Sequence, residues 1–544
     1  MGFAHEYATA IMHRGRIPME PASFVPDWAD RPRKAKYYPG AEAYPLPESA
    51  YPEHATVGAG CLGGPDGSQH TGGGTGSAFT LAELSGMLLD SYGLSGRRLG
   101  IQANTDMAAL PHYTHANWSR GTASGGGLYP VSIYWVTGAS GPLVPGAYYY
   151  SPLQHSMQRL LAGDVSRDVA SALGSTHGAA DGSPGSSCDQ YLVLGVKYWQ
   201  NSFKYNNFSF HAVSMDVGAL LQTWRIWARA RGLELAPVLW FDELRLAELL
   251  GVNSDDEGMF AVVPLRWATQ PSARPAAEAR VDVPRVRLKD KERSHRVIGF
   301  ETLQRIHRST SSSTSGRPAP GALAACVPAP LPQDLDAFAL PAAEMPDVSV
   351  RTALRSRRSS FGRFDASVPL TAKQLATALA ACTSADMGCD VESSGPSGLS
   401  RVYAFVNHVE GVAAGVYAYE AQTHTLRLLS REAPGSFLQQ NYFLSNYNLE
   451  QAGVVLVPTL RTTAVLDAVG DRGYRLVNAS VGAIAQTLYT AAAALDIGAG
   501  VALGFDNISF IEKLGLDGTD EAPLLIMLLG NERPQPADFR SEIA

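Results

Sequence analysis

Cysteine is scarce in this chain and shows no pattern. The five cysteines among 544 residues, Cys61, Cys188, Cys326, Cys382 and Cys389, form no C-x-x-C and have no histidine at zinc-ligand spacing. That excludes a disulfide framework and a metal knuckle, so no metal site is expected. Long apolar runs are missing too: no stretch of eighteen uncharged apolar residues exists, and no membrane span is expected. Positive charge is not in excess, the formal net charge being -7, which argues against a nucleic-acid face. The opening MGFAHEYATAIMHRGR has neither a signal-peptide core nor the Ser or Thr an acylation signal wants at position six, so a cytoplasmic location is expected. What is present is an ordinary globular composition in a chain too long for one core.

The chain is written twice. KYNNFSFHAVSMDVGALLQ, from Lys204, lies over AVGDRGYRLVNASVGAIAQ, from Ala468, at an offset of 264 residues. The same offset pairs Phe241-Asp242 with Phe505-Asp506 and Glu248-x-x-Gly251 with Glu512-x-x-Gly515. Upstream, LVPGAYYYSPLQHSMQRL from Leu143 matches VAAGVYAYEAQTHTLRLL from Val412, and FTLAELSGMLL from Phe79 matches LTAKQLATALA from Leu370. A unit this long is a whole domain and not a solenoid repeat. Each copy reads as a helix, then β-rich runs, then a long helix, which predicts α+β packing. The expected division is an arm over 1–55, a first domain over 56–266, a Pro/Ala/Ser-rich surface linker over 267–345 and a second domain over 346–535. Within the linker, GFETLQRIHR could be a docked helix. Residues 1–55 have no counterpart in the second half.

The polar residues are divided unequally between the copies. Ser124, Gly125, Gly126 and Gly127, just before a strand, could let the backbone approach a flat or anionic ligand, or be simply a glycine-rich turn. SRRSSFGRF, with Arg357, Arg358, Ser359, Ser360 and Arg363, suits a phosphate at a loop-to-helix junction, or is a solvated basic loop. The first copy has PDGSQHTGGG in that place, without a cation. Arg472 and Arg475 exist only in the second copy, where the first has Phe208 and His211. Lys204 and Tyr205 exist only in the first, as a candidate proton acceptor with its relay or as an ordinary surface pair.

Together, R-x-x-x-SGGGLYP from Arg120, the G-x-Y-x-Y-x(4)-H spacing, Lys204-Tyr205, RGYR at 472–475 and GFD at 504–506 resemble the nitroreductase-like azoline dehydrogenases, the SagB and McbC group. The segment DWADRPRKAKYYPGAEAYPLPES is similar to the leading arm of that group, and the resemblance spans about residues 26–265 and 350–531. It implies an α+β fold of two tandem nitroreductase-like, FMN-dependent domains that form an intrachain pseudo-dimer with the flavin in the interface. It also implies that Lys204 and Tyr205 serve catalysis while FMN oxidises a thiazoline or oxazoline in a peptide or carrier-bound intermediate, with other biosynthetic enzymes as potential partners. Residues 357–363, Arg472 and Arg475 would hold the phosphate, and Gly504 with Ser124–Gly127 would line the flavin. Because the losses in the two copies are complementary, one FMN per chain is expected. Two alternatives stay open: an NAD(P)H-dependent nitro, quinone or enone reductase on the same fold, and a flavin-free scaffold that recognises substrate.

Overall fold

Both halves start their helical part in the same way. Thr80 accepts from the Glu83 amide while Glu83 reaches back to the Thr80 amide, opening the helix Leu81–Ser91. Thr371 and Gln374 do the same for Ala372–Thr383. Such a capping box satisfies two amides that a helix start leaves without partners. The structure is a computed structural model and describes residues 2–63, 77–102, 112–174, 188–269, 284–311, 316–319, 321–391, 398–534 and 540–542. Most of the first copy's glycine-rich loop, including PDGSQHTGGG, lies outside these, as do residues 392–397.

In chain order the strands of the first half are β1 (Glu42–Pro45), β2 (Gly96–Gln102), β3 (His112–Ser119), β4 (Val131–Thr137), β5 (Gly146–Ser151), β6 (Ser156–Ala162), β7 (Gln190–Lys197) and β8 (Glu257–Pro264). Those of the second are β9 (Ala337–Ala339), β10 (Ser400–Val406), β11 (Gly415–Glu420), β12 (Thr425–Ser430), β13 (Val454–Arg461), β14 (Gly498–Ala502), β15 (Glu521–Pro523), β16 (Ile526–Gly530) and β17 (Arg540–Glu542). The first sheet runs β1-β6-β5-β4-β7-β8 and the second β9-β12-β11-β10-β13-β16-β14, so six strands follow the same order in both lobes. Even the seventh place is marked in the first lobe, where Val238 bridges Val262 as Ala502 bridges Ile526, at the offset of 264. β17 returns from the C-terminal region to pair with β2 of the first half.

The G-x-Y-x-Y-x(4)-H spacing is a hairpin device. His155 and His424 sit at φ 44° and 51° in the turns after β5 and β11, and their Nδ1 atoms bond Tyr150 Oη at 3.0 Å and Tyr419 Oη at 2.6 Å. Burial holds His155 down at about 4, so near neutral pH it is an uncharged pin across the turn.

Between the sheets lie two long helices, Ser209–Arg229 and Gly473–Ala494, buried except at Arg225, Arg229, Ser480 and Ala493. A helix enclosed on nearly every side belongs to the interior. They touch through glycine. A Cβ on Gly218 would lie 1.9 Å from the Ala479 carbonyl oxygen, and one on Gly482 would lie 2.0 Å from that of Met215. Met215 and Ala479 are themselves equivalent at the offset of 264, so this is one contact made twice about a local two-fold axis.

The arm and the linker are built into this body. β1 of the arm and β9 of the linker take equivalent edge places, which gives the arm a counterpart that sequence comparison had not. The expected surface linker carries the helix Glu301–Ser311, with Leu303, Ile306, His307 and Thr310 buried, and also buries Val286, Phe300 and Cys326. Spacing of i, i+3, i+4 and i+7 gives that helix an inward face, which the surrounding Pro- and Ser-rich composition hides. Among the described residues, no helix is long and apolar enough to cross a membrane.

Gly218→Ala and Gly482→Ala should each push the long helices apart and lower the unfolding free energy by about 3 kcal/mol. Urea denaturation midpoints of the two variants check this, and the two-fold relation requires similar losses.

Candidate active site

The glycine lip precedes β4, and the two long helices hold it from both sides. Ser124 Oγ donates to Asp216 at 2.6 Å and the Gly125 amide donates to the same carboxylate at 2.8 Å. From the other helix, Gln486 accepts from the Ala123 amide at 2.9 Å and donates to the Gly121 carbonyl at 3.3 Å. Gln222, its equivalent, donates to Thr487 instead, at 3.1 Å. Gly126 and Gly127 have φ of 64° and 63°, a conformation that suits glycine. Burial raises Asp216 to about 7 even though Ser124 and Gly125 hydrogen-bond its charged form. Asp216 was not singled out from sequence. Its only signal there is an acid replacing Ser480 of the second copy.

Lys204 and Tyr205 stand directly on this lip, at the end of the short helix Trp199–Tyr205. A Cβ on Gly126 would meet Tyr205 Oη at 2.7 Å and Lys204 Nζ at 3.0 Å. The ammonium lies 4.6 Å from the Tyr205 ring centroid and 6.0 Å from that of Trp28, on the arm. Two of the expected groups, the lip and the Lys-Tyr pair, are therefore in one place.

The arginine loop closes the same cradle at its other end. Arg357 Nη2 donates to the Arg120 carbonyl at 3.1 Å, just ahead of the lip, and its guanidinium lies over Tyr489. Ser359 bonds Tyr489 Oη at 2.8 Å, and the Ser360 amide donates to Ala499 at 2.8 Å. Arg358 is engaged by Glu532, while buried Arg363 has its backbone tied to Arg533. Arg357 Nε and Ser360 Oγ are buried with no hydrogen-bond partner. A buried donor set short of acceptors fits an oxyanion such as a phosphate.

Arg472 and Arg475 are not part of this set. Tyr489, under Arg357, is fourteen residues from Arg475 on one helix, about 21 Å at 1.5 Å per residue. Arg472 instead donates to Leu239 O at 2.6 Å and Glu243 at 3.1 Å, and Arg475 to Glu243 at 3.0 Å and Thr310 Oγ1 at 2.9 Å. Burial alone would raise Glu243, but Arg475, His307 and Arg472 outweigh it and hold the acid at about 2. The cavity left there measures about 10 Å³, walled by Trp240, Arg472 and Arg475 among others, about the room one water needs.

Gly504 stands where Trp240 stands in the first lobe, against Leu444. On its side the place of Arg472 is filled from the N-terminal helix (Phe3–His13). Arg14 donates to Leu503 O and, at 2.7 Å, to Asn507, and it lies over Phe505 and Phe208. Leu503, Phe505 and Asn507 are the equivalents of Leu239, Phe241 and Glu243, the residues that Arg472 faces. Phe208 packs on Tyr205, at 6.2 Å between ring centroids, which joins the Gly504 side to the lip.

The mixed α+β fold is that of a nitroreductase-like oxidoreductase, and this class rests on the following comparisons. The family model described as Nitroreductase family matches residues 354–531. The Methanocaldococcus jannaschii protein named "Putative nitroreductase MJ1384" is 31% identical over 204 residues, which is 35% of this chain and 94% of that protein. The chain belongs to the nitroreductase family. A solved structure described as a nitroreductase from Anabaena variabilis aligns over 98% of this chain and 100% of its own, with a TM-score of 0.69 and 21% identity. That likeness concerns the fold, and it runs through both lobes. The E. coli microcin synthetase McbBCD complex with truncated pro-MccB17 aligns over 33% of this chain and 70% of that chain at 21% identity, but its TM-score of 0.29 gives it no weight here.

Glu243→Gln strips the compensation from two buried arginines and should lower the unfolding free energy by about 3–5 kcal/mol, read from urea denaturation. Asp216, raised by burial, gives stability that is full below the ordinary carboxylate range and is lost as pH rises through about 7. The melting-temperature deficit of Asp216→Asn relative to the parent should therefore be largest near pH 5 and shrink toward pH 8.

Proposed function

We propose that this chain is an FMN-dependent dehydrogenase that oxidises thiazoline or oxazoline rings to azoles in a peptide or carrier-bound intermediate, with one flavin in the interface of an intrachain pseudo-dimer. What supports the single site is an asymmetry. One interfacial position combines a glycine lip, a Lys-Tyr pair and the buried Arg357 and Ser360, whereas its equivalent has Trp240 in place of Gly504, a glutamate between its arginines and a cavity of only about 10 Å³. Arg357, Ser359, Ser360 and Arg363 would hold the phosphate. Arg358, balanced by Glu532, would act from behind, and Arg472 and Arg475 leave the phosphate set. Ser124, Gly125, Gly126, Gly127 and Gly504 would border the ring system. On this division residues 56–266 and 346–535 form the paired domains, joined by the arm and the linker.

When bound, FMN supplies a two-electron acceptor. The protein's part is to hold the azoline over the lip and take a proton from its ring carbon. Lys204 is the candidate base, with Tyr205 as relay. Among the described residues no carboxylate pairs with Lys204, so its amine is not tied up in an ion pair. A second possibility follows from the nitroreductase relative, namely reduction of a nitro, quinone or enone group by NAD(P)H.

The purified protein should carry one flavin per chain in its absorption spectrum. Arg357→Ala should lose that flavin, while Lys204→Ala should keep it and slow bleaching by an azoline about a hundredfold to ten-thousandfold. A ratio of two or none contradicts the single-site proposal, and rapid bleaching by NAD(P)H alone shifts the function to the reductase.

A further inference from the structure

The approach to the lip gathers positive charge that nothing in the described chain answers. Arg120 is 2% exposed, with Nη1 buried and without a hydrogen-bond partner. Its faces are occupied, since the guanidinium lies 4.2 Å from the ring centroid of Tyr129 and 4.7 Å from that of Tyr92. Its other terminal nitrogen, Nη2, donates to the Lys34 carbonyl at 3.2 Å. That contact fixes the arm beside the lip, as does the bond from Gln200 to the Arg33 carbonyl at 2.9 Å. The charges that act on the Lys34 ammonium are all of its own sign: it is lowered by burial and then by Arg120, Arg31 and Lys204. Asp216, the acid of this cradle, is committed to Ser124 and Gly125. Among the described residues, none of Lys34, Arg120 and Lys204 has a carboxylate partner.

Holding like charges together in a partly enclosed place costs free energy, and one oxyanion among them recovers it. The free edge of a guanidinium whose faces are stacked is suited to receive a carboxylate oxygen in its plane. We propose that the substrate of this site carries a carboxylate, received by Lys34 and Arg120 where the arm crosses the lip, with Lys204 left free to act on the ring. This rests on the proposed function only for the identity of the reaction, and it narrows the substrate to an acid: an azoline bearing a free carboxylate, or a peptide with an acidic residue or its C-terminus beside the ring. An uncharged heterocycle would leave the cations unanswered.

The test is isothermal titration of the protein as purified with benzoate and with benzamide, which share a ring and differ in charge. Benzoate should bind at least about tenfold more tightly, and added sodium chloride should weaken it, because the contact is electrostatic. Lys34 is exposed over most of its side chain, with the ammonium end partly enclosed, so its replacement leaves the core intact. Lys34→Glu should abolish benzoate binding, Lys34→Arg should restore it, and both should keep the parent flavin-to-protein ratio. Equal affinities for the two probes, or a Lys34→Glu protein that binds benzoate as well as the parent, overturns the proposal. So does loss of flavin from Lys34→Glu, which would give these cations to the cofactor's own phosphate. The heat of binding does not depend on colour, so a flavin-free preparation that still selects benzoate would sink the proposed reaction and leave the anion site standing.

Discussion

The close approach of the two long helices at Gly218 and Gly482 sets everything else in this molecule. Two backbones in contact through missing side chains leave little freedom in rotation or register, so residues on one helix are fixed relative to the loops of the other lobe. Gln486 can therefore hold the lip of the opposite half, and Asp216 can close on that lip from its own side. The glycine lip needs both, because a backbone with two successive residues at positive φ has few side chains of its own with which to stay in place.

On this symmetric frame, the polar residues build two unlike places. At one, arginine comes from the N-terminal helix, glycine stands at 504, and the lip, lysine and tyrosine converge. At the other, arginines come from the long helix, tryptophan stands at 240, and a buried glutamate bridges the two guanidinium groups. A buried acid held at about 2 by its arginines is a structural cross-link between lobes, and Glu243, Leu239, Thr310 and Met259 take up most of what those arginines can donate.

Much of the fold was legible because it repeats. The 264-residue offset carried the Asp caps at 242 and 506 and the glycine contacts, and an offset of 269 carried β4, β5 and β6 onto β10, β11 and β12, all of which are local or self-complementary. The lip and the Lys-Tyr pair were legible as chemistry but not as neighbours, since nearly eighty residues separate them. Arg472 and Arg475 stood out because each is absent from the other copy, and sequence does not reveal the glutamate that bridges them from another lobe. Arg14 substitutes in space for a residue lost from an unrelated position, so no alignment of the two copies could have found it. The linker's inward helix was visible only as a short periodic run inside a composition that spoke for the surface.

The linker helix also bears on how such a chain can diverge. Thr310 and His307 reach Arg475, so the connection between the lobes packs into the side of the axis that holds the Glu243 cluster. In a homodimer every substitution lands twice, and a change that blocks one pocket blocks its twin. A single polypeptide escapes that constraint: the two faces of the axis can take different side chains, and later mutations act on each independently.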